Sequence, residues 1–81
     1  MSQRVVVYSK PGCHLCEEAV RLLQGLQHEF NLTIDEIDIT HDRALFKQYF
    51  EKIPVILVDD RVTLAAPIRL DDLRAALKIK L

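Results

Sequence analysis

The run Val5-Val6-Val7-Tyr8 limits the folds open to this chain more than any other stretch. Side chains that branch at Cβ, and aromatic ones, favour extended backbone. A run with no polar alternation has no face to give to water. Arg4 to Ser9 therefore reads as a strand covered on both sides, at the centre of a sheet. Lys10-Pro11-Gly12 ends it, because proline brings no N–H to a ladder and glycine admits a tight turn. A helix is predicted next, from Cys13 to Glu29. Leu15, Ala19, Leu22, Leu23, Leu26 and Phe30 recur there at steps of three and four and form one apolar face. Glu17 and Glu18 fall in its first turn, where acids suit the helix dipole. Gly25, which costs about 1 kcal/mol against alanine inside a helix, marks either close packing or a tolerated defect.

The remaining elements follow from the same patterns. Leu32 to Ile39 alternates, but the alternation slips at Asp35-Glu36, which predicts a strand with a bulge or a late start. Thr40 or Asp42 can cap a second helix reaching Phe50, with Leu45, Phe46, Tyr49 and Phe50 as its buried face. Ile53-Pro54 opens a third strand, Val55 to Val58, and Asp59-Asp60 makes a tight turn into a fourth, Arg61 to Leu64. Ala65-Ala66-Pro67 is loop. Asp71 is expected to cap a last helix with Leu73, Ala76 and Leu77 inward. The order β-α-β-α-β-β-α is that of an α/β domain spanning residues 1–81, with no repeat or linker.

At 81 residues the chain holds one small domain, and a domain of this size buries roughly 60% of its unfolded surface. An active site here must be a surface feature made from few residues. Net charge is −1, from 11 basic and 12 acidic side chains. No basic block appears, so nucleic acid is not an expected partner. Aliphatic runs are only a few residues long, whereas a membrane span takes roughly 20 and a signal-peptide core about 7 to 15. The chain thus reads as complete and cytoplasmic, without a membrane partner.

The chain has two cysteines, Cys13 and Cys16. The loop they would close is too short to staple a fold, so in a reducing compartment the pair suggests redox chemistry or half a metal site. A free thiol, with a pKa of about 8.5, is mostly protonated near neutrality, and the thiolate is the nucleophile. Cys13 lies where a turn becomes a helix. Unpaired N–H groups and the positive end of the dipole face it there, so a lowered pKa is expected. Lys10 can add to this. His14, if protonated, would also favour the thiolate; the alternative is an exposed helix-start residue without a partner. Cys16, one turn on and less exposed, is the candidate for resolving a mixed disulfide. Zinc is the rival use, but C-x-x-C supplies two of four ligands, and His14, His28 and His41 lack paired finger spacing. No bound metal is expected. An iron–sulfur cluster shared between two subunits is a further rival.

Val5-Val6-Val7-Tyr8-Ser9-Lys10-Pro11-Gly12-Cys13-His14-Leu15-Cys16 resembles the first strand and active-site loop of glutaredoxins. It is most similar to the small bacterial glutaredoxin-like proteins with a C-x-L-C-E/D site. Ile53-Pro54-Val55 is similar to the cis-proline segment of that family. The resemblance implies a thioredoxin-like fold, a four-stranded mixed sheet flanked by three helices. It further implies a cis Ile53-Pro54 bond whose preceding residue offers backbone N–H and C=O to an extended substrate. Lys10 resembles the lysine that meets a glutathione carboxylate, and Asp72-Leu73 the acidic helix start near that ligand. For Asp71 and Asp72, helix capping is the competing account. This chain departs from the family at two places: His14-Leu15 stands where Pro-Tyr is common, and Ala65-Ala66-Pro67-Ile68-Arg69 lacks the glycine pair that helps cradle glutathione.

The expected activity is dithiol exchange. Cys13 attacks a disulfide in a protein or small molecule, Cys16 resolves the mixed disulfide, and glutathione or a reductase restores both thiols. Gly12, Ile53 and Pro54 shape the groove, with Tyr8 there for packing rather than chemistry. No organic cofactor is expected to be tightly bound; glutathione would act as a co-substrate, and the chain as a monomer. A thioredoxin-fold binding module with idle or metal-bound cysteines is the alternative.

Overall fold

Residues 2–77 are described by the computed structural model. Its elements are β1 (Gln3–Ser9), α1 (His14–Leu26), β2 (Leu32–Asp38), a 3-10 turn (Ile39–His41), α2 (Arg43–Tyr49), β3 (Val55–Val58), β4 (Val62–Ala65) and α3 (Leu70–Ala76). The sheet order is β2-β1-β3-β4. β1 runs parallel to β2 and antiparallel to β3, and β3 pairs antiparallel with β4. The domain is a four-stranded mixed sheet with three helices, in the element order read from the sequence.

β1 is the central strand that its composition demands. Val5 and Val7 are fully buried and Val6 nearly so, at 4% exposure. Val5 and Val7 join Ala19, Leu23 and Leu26 of α1 and Leu73 of α3 in one core. The opposite face carries Tyr8, whose ring stacks on Tyr49 of α2 at 4.8 Å. Successive strand residues point to opposite faces, so α1 and α3 cover one side of the sheet and α2 the other. Tyr8 is thus a packing residue.

Several expectations need correction. β2 has no bulge: Gln3 to Ser9 pair one-to-one with Leu32 to Asp38. The apolar slip reflects a sheet covered on both faces. Ile34, opposite Val5, packs against the α1 core, whereas Ile37, opposite Tyr8, lies on the α2 side. Of the two caps expected for the second helix, Asp42 is the one used, its carboxylate accepting from Leu45 N–H at 3.1 Å. Its aromatic face is not buried: Phe46 and Phe50 are 42% and 46% exposed and stack on each other. Seven residues make only two turns, and Leu45 and Tyr49 take the inward positions. The third helix is capped by Arg69, with no side-chain cap bond, and Asp71 and Asp72 fall inside its first turn. Ile68, packed on the core, fixes where the chain enters and starts the helix before Asp71.

Strand β4 begins one residue later than predicted, because Arg61 N–H closes the preceding turn on Val58 C=O, and it runs one residue further, since Ala65, expected in the loop, pairs with Val55. Asp59 and Asp60 both take positive φ, 50° and 57°, the pattern of a type I′ hairpin turn. Helix α1 ends at Leu26 rather than Glu29, and turns carry the chain on to Phe30. Gly25 has nothing within 4 Å of where a Cβ would sit, so it marks no close contact. Among the described residues no helix is long and apolar enough to cross a membrane.

Candidate active site

The site lies where β1 hands the chain to α1. Ser9 ends the strand on its buried face, and Lys10, Pro11 and Gly12 turn outward. Gly12 adopts φ +75°, a left-handed conformation that glycine enters without the Cβ penalty other residues carry. Cys13 N–H closes this turn on Lys10 C=O at 3.3 Å. Cys13 has extended backbone and serves as the N-cap of α1, its sulfur accepting from Cys16 N–H at 3.2 Å. A sulfur thus occupies the place usually held by a serine or aspartate oxygen, facing the unpaired N–H groups of the first turn.

Cys13 and Cys16 have Cα atoms 5.2 Å apart, and their sulfurs meet at disulfide distance. Their environments differ. Cys13 is half-buried, while Cys16 is 1% exposed and packed under the helix. The outer sulfur is open to a partner and the inner one is not, the asymmetry that sequential attack and resolution requires.

The other predicted site residues are distributed around this pair. His14 is exposed, and its ring lies 3.3 Å from Glu18 and 3.9 Å from Glu17. Lys10 and Gly12 line an open cleft of about 340 Å³ on the β2 side, together with Ser9, Cys16, Glu17, Glu36 and Asp38. The Ile53-Pro54 bond is cis, as the resemblance implies, and Pro54 is buried, but the expected free N–H is not there: Ile53 N–H already donates to Tyr49 C=O at 3.1 Å. Pro54 lines a smaller recess of about 80 Å³ on the β3 side, with Leu15, Glu18, Ala19, Leu22, Ala66, Pro67 and Ile68. Ile53 is half-buried beside it, and Asp72 is exposed in the first turn of α3, lining neither recess. Cys13, Cys16, Lys10, Gly12, His14 and Pro54 therefore gather around the start of α1.

Sequence reasoning missed the Ser9–Glu36 pair, in which the Ser9 hydroxyl donates to the Glu36 carboxylate at 3.0 Å. A signal existed: Ser9 continues the alternation of Val5 and Val7, which puts it on the buried face, and a buried hydroxyl needs a partner. It also missed Asp38, which accepts from both the hydroxyl and the backbone N–H of Thr40. Those two bonds hold the Asp38 carboxyl below the usual carboxylate range. Pro67, whose bond to Ala66 is also cis, and Ile68 join the groove through the fold alone. Among the described residues, no group of three or more His, Cys, Asp or Glu side chains is arranged to hold a metal ion.

A mixed sheet of this order, with C-x-x-C opening its first helix and a cis-proline strand beside it, defines a thioredoxin-fold thiol protein. Comparison with known proteins refines this. The family model described as glutaredoxin-like domain (DUF836) matches residues 4–78, and the chain belongs to that family. A glutaredoxin-like protein of Dictyostelium discoideum is 35% identical over 63 residues, 68% of this chain and 56% of its own length. The chain thus spans a little over half of that relative. The solution structure of a Nitrosomonas europaea protein matches with a TM-score of 0.82 at 29% identity, over 96% of this chain and 94% of that one. A mutant thioredoxin of Halobacterium salinarum shares the fold, with a TM-score of 0.72 at 13% identity, over 99% of this chain and 79% of its own. Membership of this family and the paired sulfurs fit a redox role.

Proposed function

We propose that the chain is a dithiol thiol–disulfide oxidoreductase with Cys13 as nucleophile and Cys16 as resolving thiol. The carrying observation is the placement of the two sulfurs. Cys13 sulfur caps α1, accepts the Cys16 N–H at 3.2 Å and is within bonding reach of a buried Cys16. A donated N–H and the helix dipole both favour an anion at Cys13 once the pair is reduced. The thiolate attacks one sulfur of a substrate disulfide and displaces the other as a thiolate. Cys16 then closes the Cys13–Cys16 bond and releases the bound sulfur. Two electrons pass from the protein dithiol to the substrate, and an external thiol reductant returns them.

On this reading no cofactor is held tightly, the working unit is a monomer, and the compartment is a reducing one such as the cytoplasm. Glutathione or a thioredoxin-reductase system serves as the electron donor. Iodoacetamide alkylation of the Cys16→Ser variant across pH tests the claim. The expected midpoint for Cys13 lies below the free-thiol value of about 8.5; a midpoint at that value, with no rate advantage over a free thiol, overturns it. Turnover of a disulfide with glutathione against thioredoxin reductase then identifies the donor.

A further inference from the structure

Accepting Cys13 as the redox nucleophile, we propose that the preferred substrate is a disulfide in a polypeptide, with a small apolar residue beside the cysteine on one side and a basic residue on the other. The sheet order carries the argument. β2 lies on one flank of β1, and β3 with β4 on the other, while α1 starts above the end of β1. The two recesses therefore open on opposite flanks of the start of α1, which Cys13 caps, one acidic and one mostly apolar.

The β2-side cleft sets three carboxylates, Glu17, Glu36 and Asp38, against one ammonium, Lys10. Glu36 and Asp38 accept hydrogen bonds from the hydroxyls of Ser9 and Thr40, which fix the carboxylates without cancelling their charge. The histidines within reach, His41 at 3.6 Å from Asp38 and His14 at 3.9 Å from Glu17, are exposed and outside the cleft lining. A cation fits this surplus and an anion does not. On the other flank, a recess of about 80 Å³ has room for one small aliphatic side chain; its lining is apolar except for Glu18, which is half-exposed and lies 3.3 Å from the His14 ring. Leu15, 56% exposed and between the cysteines in sequence, lines this recess two residues from Cys13. Glutathione disulfide carries net negative charge and exposed carboxylates. At the edge of the apolar recess, Ala66 N–H is already bonded to Lys52 C=O at 3.3 Å, and Pro67 has none.

The test is single-turnover oxidation of the pre-reduced, desalted protein, followed by rapid quench. The protein's two thiols become its disulfide, and the substrate disulfide becomes two thiols. The probes are synthetic peptides whose one cysteine is disulfide-linked to mercaptoethanol. That cysteine is flanked by Val and Lys, by Ser and Lys, or by Val and Glu, in both orders; glutathione disulfide and hydroxyethyl disulfide are the comparators. The Val/Lys peptide is expected to react about tenfold faster than the Ser-for-Val or Glu-for-Lys peptide in one order. The charge part should shrink in about 1 M salt, where screening acts over about 3 Å. Glu36→Gln should weaken the lysine preference, and Leu15→Ser the valine preference, each read as a ratio to the same variant's rate with hydroxyethyl disulfide. Equal rates for all peptides, or glutathione disulfide outpacing every peptide, overturns the proposal and leaves the redox reading standing. Failure to reduce hydroxyethyl disulfide sinks that reading, and this one with it.

Discussion

Two sulfurs with the same chemistry differ in exposure because one turn of helix separates their surroundings. Cys13 is half-buried at the N-cap, and Cys16 is 1% exposed. Cys13→Ser is expected to abolish disulfide turnover. Cys16→Ser should keep the first attack and accumulate a mixed disulfide on Cys13, visible by intact mass. His14 is a different case. Its ring lies against Glu18 and Glu17, so His14→Ala should leave the Cys13 alkylation profile where it is. Gly12 has a backbone role, holding φ +75° with open space where a Cβ would go. Gly12→Ala therefore meets no neighbour and is penalised by conformation alone, about 1–2 kcal/mol in denaturant unfolding. Residue types and spacing made Cys13, Cys16 and Gly12 legible. Glu36 was not, because its partner Ser9 is 27 positions away and only strand pairing joins them.

At the scale of elements, helix α1 and the β3–β4 hairpin each carry a local conflict. Gly25 lies inside α1 with no contact requiring it, so Gly25→Ala should stabilise the fold by about 0.5–1 kcal/mol. Asp60 takes φ 57° in a turn that favours glycine at its second central position. Asp60→Gly should raise the midpoint of thermal unfolding. Asp59 is better left alone, since its carboxylate accepts from Arg4 N–H at 2.8 Å and ties the turn to β1. The elements read well from sequence where one face was plainly apolar, as in α1 and β1. They read less well in α2, where Phe46 and Phe50 repeat at helical spacing yet lie outward, stacked on each other. A period shows that residues share a face, but not whether anything covers it.

Across the whole molecule, the Arg74 guanidinium of α3 reaches Glu29, just beyond the end of α1, at 2.7 Å. The hydrogen bond, with the arginine charge, holds the Glu29 carboxyl below its ordinary range. A carboxyl lowered in the folded state stabilises the fold above its unfolded pKa and loses that contribution as pH falls through the folded value. Asp38, lowered by Thr40, behaves alike. Denaturant midpoints should therefore fall as pH drops below about 4, the unfolded carboxylate range. The drop should be smaller in Glu29→Gln. Both partners are exposed, so the effect is modest and shrinks with salt.

The sequence alone determined the element order, the two-sided burial of β1 and the cysteine pair at a helix start. All of these depend on short-range rules of backbone conformation and apolar periodicity. Strand neighbours, and which face of the sheet each helix covers, came from tertiary packing. So did the acidic and mostly apolar recesses flanking the start of α1, because Glu36, Pro54 and Ile68 become neighbours of the first helix only when the strands pair. Such contacts span dozens of residues, and a linear pattern carries no record of them.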